Sequence, residues 1–118
     1  MEYLLLLNAD NEPMKSLPKD TQQAHVAAYG AYTSALREAG VLRGSNRLRP
    51  ASTATTIRVR EGKTDVQNGP FIETREELGG YYLIDVKDLD AALSWAARCP
   101  GAAHGAIEVR PIWPMGEY

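Results

Sequence analysis

One histidine in a helical pattern is the first residue of this chain whose type and position suggest chemistry. His25 precedes Tyr29 by four residues, so both side chains lie on one face of the predicted helix. An imidazole titrates near neutral pH, and His25 is therefore a candidate acid or base. The alternative is a surface histidine without a role, which the residue pattern taken alone favours.

The turn Asn-Gly-Pro-Phe at residues 68–71 is the second feature. Asn-Gly favours turns that need a positive φ, but Pro70 restricts the preceding glycine and cannot donate a ladder hydrogen bond. We therefore predict that the segment leaves the sheet and carries Phe71 and Glu73 across an opening. Phe71 is either a pocket wall or a core residue, and Glu73 is either a site carboxylate or a solvated charge.

Tyrosines and arginines supply the remaining candidates. Tyr81 and Tyr82 are adjacent in a predicted strand and so point to opposite faces of the sheet. One hydroxyl is expected to donate a hydrogen bond or a proton to a ligand, and the alternative is core packing with a polar tip. Arg43, Arg47 and Arg49 lie in a predicted loop, where a guanidinium binds a carboxylate or phosphate or is simply surface charge. Arg43 is the one that we assign to ligand binding.

Several other chemistries are not predicted. His104 is expected on a surface loop, and the alternative is that it approaches the site. The histidines and carboxylates lack a recognised metal-ligand spacing, so no metal is predicted. Gly-rich phosphate-binding motifs are absent, so no cofactor is predicted. Cys99 is the one cysteine, which excludes an internal disulfide, and its position near a helix C-terminus disfavours a thiolate.

Size and composition set the frame for these residues. The 118 residues, 44% of them hydrophobic, suit a single domain over 1–118 with one core. A net charge of -2 makes direct nucleic-acid binding unlikely to be the function. No stretch approaches the roughly 18 apolar residues of a membrane helix, and the apolar run at 2–8 lacks the flanks of a signal peptide. We expect a cytoplasmic protein.

The elements that must position the candidate residues follow from hydrophobic periodicity. Strands are predicted within residues 2–8, 53–61, 64–68, 80–86 and 105–113, and helices within 16–42 and 88–101. Residues 43–52 are predicted to form a loop, and 72–80 a short helical insert. This order is that of an α+β ferredoxin-like βαββ-βαβ sandwich, an antiparallel sheet with two helices on one face. The other face has apolar side chains and no helix, which predicts a homodimer.

The stretches HVAAYGAYTSALREAGVLRG and NGPFIETREELGGYYLIDVKDLDAALSWAARCPGAAHGAIEVRPI, together with the first strand, resemble the YCII-related DGPF-domain family over nearly the whole chain. The resemblance implies a dimeric α+β barrel fold, similar to that of muconolactone isomerase. It also implies a catalytic histidine and aspartate. His25 matches the histidine, whereas Asn68 stands where the motif has aspartate. Asparagine cannot act as a general base, but it can orient an imidazole or hold a carbonyl.

Two functions are therefore expected. In the first, a cavity between the sheet and the first helix binds a small polar or carbonyl-containing molecule, and His25 moves a proton while Asn68 and a tyrosine orient the substrate, as in an isomerase or lyase. In the second, the chain is a non-catalytic ligand-binding or regulatory module. Some members of the family are encoded beside or fused to extracytoplasmic-function sigma factors, which implies a link to transcription, and Asn68 favours this second function.

Overall fold

The apolar run near the start of the chain forms the strand around which the fold is built. The computed structural model describes residues 1–117. The strands are β1 Glu2–Ala9, β2 Leu42–Arg47, β3 Thr55–Arg60, β4 Lys63–Asn68, β5 Glu77–Asp85 and β6 Ala106–Pro111. The helices are α1 Glu12–Lys15, α2 Lys19–Glu38 and α3 Leu89–Arg98, and two short 3-10 helices span Ala51–Thr53 and Pro100–Ala103.

Four of the strands form one antiparallel sheet in the order β2-β5-β1-β6. In the centre, Leu5 of β1 lies opposite Tyr82 of β5 and Val109 of β6. Helix α2 connects β1 to β2, and α3 connects β5 to β6, so each half of the sheet is a split β-α-β unit. The predicted ferredoxin-like α+β fold is confirmed.

The core lies between one face of this sheet and the two long helices. Leu5, Leu36 and Ile84 are completely buried. The Tyr32 hydroxyl of α2 donates a hydrogen bond of 2.7 Å to the carbonyl oxygen of Trp95 in α3, which satisfies the polar tip of a buried ring. The two helices are thereby fixed to each other as well as to the sheet.

Both long helices have recognisable end residues. Asp88 caps α3 by accepting a hydrogen bond of 2.9 Å from the backbone N–H of Ala91. Gly40, with φ +72°, follows the last turn of α2, as is typical of a helix stop. The spacing of Leu89, Ala92, Leu93 and Ala96 favours a buried stripe along α3, but Leu89 and Leu93 are 47% and 46% exposed. The small side chains of α3, Ala92 and Ala96, face the sheet instead.

Three elements differ from the prediction. Residues 42–47 form β2 and not a loop; as an edge strand it has one neighbour, and its polar sequence Leu-Arg-Gly-Ser-Asn-Arg reflects that position. The predicted helical insert at 72–80 does not form, since Glu77–Asp85 belongs to β5. Strands β3 and β4 do form the predicted hairpin, but as a separate two-stranded sheet, called the ribbon below.

The ribbon and the thin main body give the molecule an extended shape. It spans 48 × 47 × 17 Å, with a radius of gyration of 16.5 Å. A fully compact domain of this length has a radius of gyration of about 13.5 Å. Within the described part of the chain, no helix has the length and apolar character needed to cross a membrane.

The sheet face opposite the helices has no covering layer within residues 1–117. It is the side of Leu4, Leu6, Tyr81 and Leu83, which alternate with the buried residues of β1 and β5 and are half-buried. A third layer would also exceed the 17 Å thickness of the molecule. The chain therefore presents an apolar sheet face to its surroundings, here called the open face.

Core packing makes a direct stability prediction. Ile84→Ala removes a completely buried side chain and should lower the free energy of unfolding by about 2–5 kcal/mol. Leu93→Ala, on the exposed side of α3, should cost less than about 1 kcal/mol. Urea unfolding measures both, and equal losses would contradict the placement of the core.

Candidate functional site

A cavity of about 490 Å³ opens at one end of the main sheet. Because the strands are antiparallel, this is the end where β1 and β2 finish and where β5 and β6 begin. Helix α2 lies on one side of the cavity, and the 3-10 helix Pro100–Ala103 contributes Gly101 to its wall. The topology thus brings together residues from distant parts of the sequence.

Two imidazoles face each other in this cavity. The ring centroids of His25 in α2 and His104 lie 5.5 Å apart, with their planes inclined by 62°. His104 is an exposed turn residue, as the sequence predicted, and it also approaches the site, because it belongs to the cavity lining. Its proximity follows from the position of β6 beside β1, since His104 stands just before β6. No local sequence motif carries that information.

Tyr29 positions His25 with its ring and not with its hydroxyl. The two rings make an edge contact, with centroids 5.0 Å apart. The Tyr29 hydroxyl is directed to the wall, where it accepts a long contact of 4.0 Å from the Cys99 thiol. Burial is the main cause that raises the pKa of Tyr29 above its ordinary value, so the hydroxyl stays neutral. Burial likewise raises the pKa of Cys99, which agrees with the predicted absence of a reactive thiol.

The electrostatic environment keeps His25 neutral. Its pKa is lowered first by burial, then by the neighbouring His104, and then by the positive charge of Arg47 at the end of β2. A neutral imidazole at pH 7 can accept a proton, which is the property that a general base requires. Arg47, and not the predicted Arg43, is the arginine that lines the cavity.

A hydrogen-bond donor lines the same cavity. The Asn46 amide donates a hydrogen bond of 2.8 Å to the Tyr81 hydroxyl oxygen, and both residues belong to the lining. Because this bond occupies an acceptor position of Tyr81, the hydroxyl proton remains available to donate to another group. A carbonyl oxygen is the simplest group to receive it.

Tyr82 has a different role from its neighbour. The predicted opposite orientation is confirmed, because Tyr82 is buried on the helix side whereas Tyr81 lies on the other side of β5. Thr33 donates its proton to the Tyr29 carbonyl oxygen at 2.9 Å, so Tyr82 is the donor in its 2.7 Å hydrogen bond with Thr33. Tyr82 therefore joins α2 to the sheet beside the cavity.

Four predicted site residues do not line this cavity. Arg43 stands at the opposite end of the sheet, with a guanidinium nitrogen 3.6 Å from a carboxylate oxygen of Asp85. Phe71 and Glu73 line a second groove, at the base of the ribbon, and Phe71 is 64% exposed. Asn68 is the last residue of β4 and is exposed. Within one chain, then, the cavity contains His25 but not Asn68.

Two comparisons with known proteins give matches along nearly the whole chain. A family model described as the YCII-related domain matches residues 1–116. A protein of Rhizobium meliloti (strain 1021), described as uncharacterized, is 37% identical over 114 residues, which are 95% of this chain and 92% of that protein.

The neighbours of His25 predict how its pKa responds to substitution. His104→Gln or Arg47→Gln removes a neighbour whose interaction lowers the pKa of His25, so each should raise that pKa. The pKa of His25 is lower in the folded protein than in the unfolded chain. Neutral His25 therefore contributes to the free energy of unfolding above pH ~6.5, and this contribution is lost as the pH falls through the folded-state pKa. NMR titration of the imidazole C–H signals measures the change. Arg43→Gln is the control, and an unchanged pKa in both site variants would contradict this electrostatic account.

The wall behind Tyr29 predicts a specific steric coupling. A Cβ added at Gly101 would lie 2.3 Å from the Tyr29 hydroxyl oxygen, although Gly101 lacks a positive φ and its backbone tolerates alanine. Gly101→Ala should therefore destabilise the protein by about 1–3 kcal/mol, and Tyr29→Phe should relieve most of that cost.

Urea unfolding of the single and double variants measures the coupling between these two positions. Gly30→Ala is the control, since nothing lies within 4 Å of its added Cβ; it should stabilise α2 by up to about 1 kcal/mol. Additive effects of Gly101→Ala and Tyr29→Phe would contradict the steric account.

Proposed function

Because the chain belongs to the YCII-related family, we propose that its cavity uses His25 for proton transfer on a small polar substrate that contains a carbonyl group. The observation that carries this proposal is the pair of imidazoles, His25 and His104, which face each other in a cavity that also holds the Asn46–Tyr81 donor pair. A base and a carbonyl-directed donor are the two groups that such a reaction needs.

The proton transfer has two steps. Tyr81 lies on the open-face side of β5 and His25 on the helix side, so the substrate would lie across the open end of the sheet, where both residues line the cavity. There His25 accepts a proton from the carbon next to the carbonyl, and the Tyr81 hydroxyl donates a hydrogen bond to the carbonyl oxygen as negative charge develops there. The protonated His25, whose N–H can exchange with solvent, then delivers a proton to a different carbon, which completes an isomerisation without any other reactant. Tyr29 holds the imidazole in place through its ring edge.

Arg47 supports a substrate that carries a carboxylate. Its guanidinium is close enough to lower the pKa of His25, and it belongs to the cavity lining. A planar guanidinium pairs with a carboxylate through two hydrogen bonds, which fixes the orientation of a small ligand as well as binding it. A short keto acid or unsaturated acid fits this combination of groups.

We also propose that the protein is a homodimer in which the open face packs against a second copy. Leu4, Leu6 and Leu83 lie on that face without a covering layer within residues 1–117. Burying them would contribute roughly 1.5–3 kcal/mol for each fully covered side chain. Face-to-face packing of two such sheets makes a dimeric α+β barrel.

A non-catalytic binding module is the second candidate function. It is favoured by the position of Asn68, which an aspartate occupies in the family motif and which lies outside the cavity of its own chain. In that case the cavity would bind the same class of small carboxylic acid, and His25 would hold the ligand without moving a proton.

A screen of short keto and unsaturated carboxylic acids tests the proposal. Exchange of the acidic C–H with deuterium from the solvent, followed by NMR, reports proton transfer without knowledge of the product. His25→Gln should reduce exchange about a hundredfold or more, and Arg47→Gln should raise KM, whereas the distant Arg43→Gln should change neither.

The outcomes separate the two functions. No exchange, but a ligand-induced rise in melting temperature that His25→Gln abolishes, would replace the enzyme with the binding module. If no acid is turned over or stabilises the protein, the cavity has neither function for this class of ligand.

A further inference from the structure

The two faces of the ribbon differ in charge. Side chains alternate along a β-strand, so each strand contributes every second residue to a given face. One face is entirely uncharged: Thr55, Ile57, Val59, Thr64, Val66 and Asn68. The opposite face consists of Thr56, Arg58, Arg60, Lys63, Asp65 and Gln67 and carries the four charged residues of the two strands.

The uncharged face is bare in the single chain. Ile57, Val59 and Val66 are 64%, 57% and 60% exposed, and Ile57 stands directly opposite Val66. Strands β3 and β4 pair with each other and with no other strand among residues 1–117. By contrast, Thr56, Arg58 and Gln67 on the charged face are half-buried, since they contact the segment that follows the ribbon.

We propose that the uncharged face of the ribbon docks on a second copy of this chain, and that the second copy covers the mouth of the cavity. This inference extends the dimer proposed above and does not depend on the reaction in the cavity. A two-stranded ribbon is marginally stable by itself, and an uncharged β-branched face left in water is prone to association, which favours a specific partner surface.

The area needed for a stable dimer favours a second copy as the occupant. With strands about 4.8 Å apart and about 3.3 Å per residue, six residues on each of four strands give an open face of roughly 380 Å², so two open faces bury roughly 760 Å². Stable specific interfaces bury roughly 1,200–2,000 Å². Docking of one ribbon buries roughly 200 Å² of the ribbon and roughly 200 Å² of the partner surface. The two ribbons of the dimer therefore add roughly 800 Å², which raises the total buried area to roughly 1,560 Å².

The attachment of the ribbon connects this contact to the cavity. Arg47, the last residue of β2, and Glu77, the first residue of β5, both line the cavity, and the chain between them contains the ribbon. The Glu77 carboxylate also accepts a 3.0 Å hydrogen bond from the backbone N–H of Ala51, which ties the base of the ribbon to the cavity rim. A second copy held by the ribbon therefore lies beside the mouth of the cavity.

Substitution on the two faces of the ribbon tests the docking. Val66→Lys places a charge on the uncharged face and should weaken the dimer at least about tenfold in Kd, because the charge loses its hydration in the interface. Asp65→Asn changes the net charge by the same +1 on the opposite face and should leave Kd unchanged. Sedimentation velocity over a range of concentrations measures both, and circular dichroism checks that the fold is retained.

The two histidines report cavity access without a known substrate. The chain contains two histidines, His25 and His104, and both line the cavity. Carbethoxylation by diethyl pyrocarbonate should be faster in the dissociated Val66→Lys variant than in the wild-type dimer, and unchanged in Asp65→Asn.

Three results would overturn the inference. A monomeric wild-type protein, or a Val66→Lys dimer as tight as the wild type, would exclude docking of the ribbon. Dissociation of Val66→Lys with an unchanged histidine modification rate would show that the second copy does not cover the cavity. None of these readouts depends on catalysis, so failure of the proposed reaction leaves them valid.

Discussion

The packing of α2 against β1 and β5 is the contact on which the rest of the structure depends. Leu36 of α2, Leu5 of β1 and Ile84 of β5 are completely buried together. His25, Tyr29, Tyr32 and Leu36 follow one another at spacings of four, three and four residues, which keeps them on one helical stripe. The same stripe therefore belongs to the core at one end of the helix and to the cavity at the other. A rotation of α2 that moved His25 would also expose its core residues.

That stripe explains why part of the fold and site could be predicted from the sequence. Helical spacing identified α2 and its inward side chains, and alternation identified β5 with Tyr81 and Tyr82 on opposite faces. Hydrophobic alternation did not identify β2, because this strand is polar and its edge position needs little apolar surface. It also failed to say which partner a strand takes, so the ribbon was assigned to the main sheet. The choice of Arg43 over Arg47, and of a surface role for His104, went wrong because the positions of these residues depend on those pairings.

Near the cavity, backbone atoms of neighbouring strands approach two glycines unusually closely. A Cβ at Gly105 would lie 2.1 Å from the Asn8 carbonyl oxygen, and one at Gly80 would lie 2.9 Å from that of Asn46. These glycines allow the ends of β1, β2 and β6 to converge at the cavity, where any larger residue would push them apart. The cavity thus depends on missing side chains as much as on the histidines, and substitutions at these positions would affect its shape before its chemistry.

The central position of β1 also has a consequence for synthesis of the protein. Leu5 pairs with Tyr82 and Val109, which are 77 and 104 residues further along the chain. At about 5–20 residues per second, the apolar strand waits on the order of 5–20 seconds for its last neighbour to be translated. Before β5 is made, its run of four leucines has no strand to pair with, and before β6 is made one edge of it stays open. A nascent chain in this state exposes the kind of segment that chaperones bind. The strand that holds the finished sheet together is therefore the one most in need of protection on the ribosome.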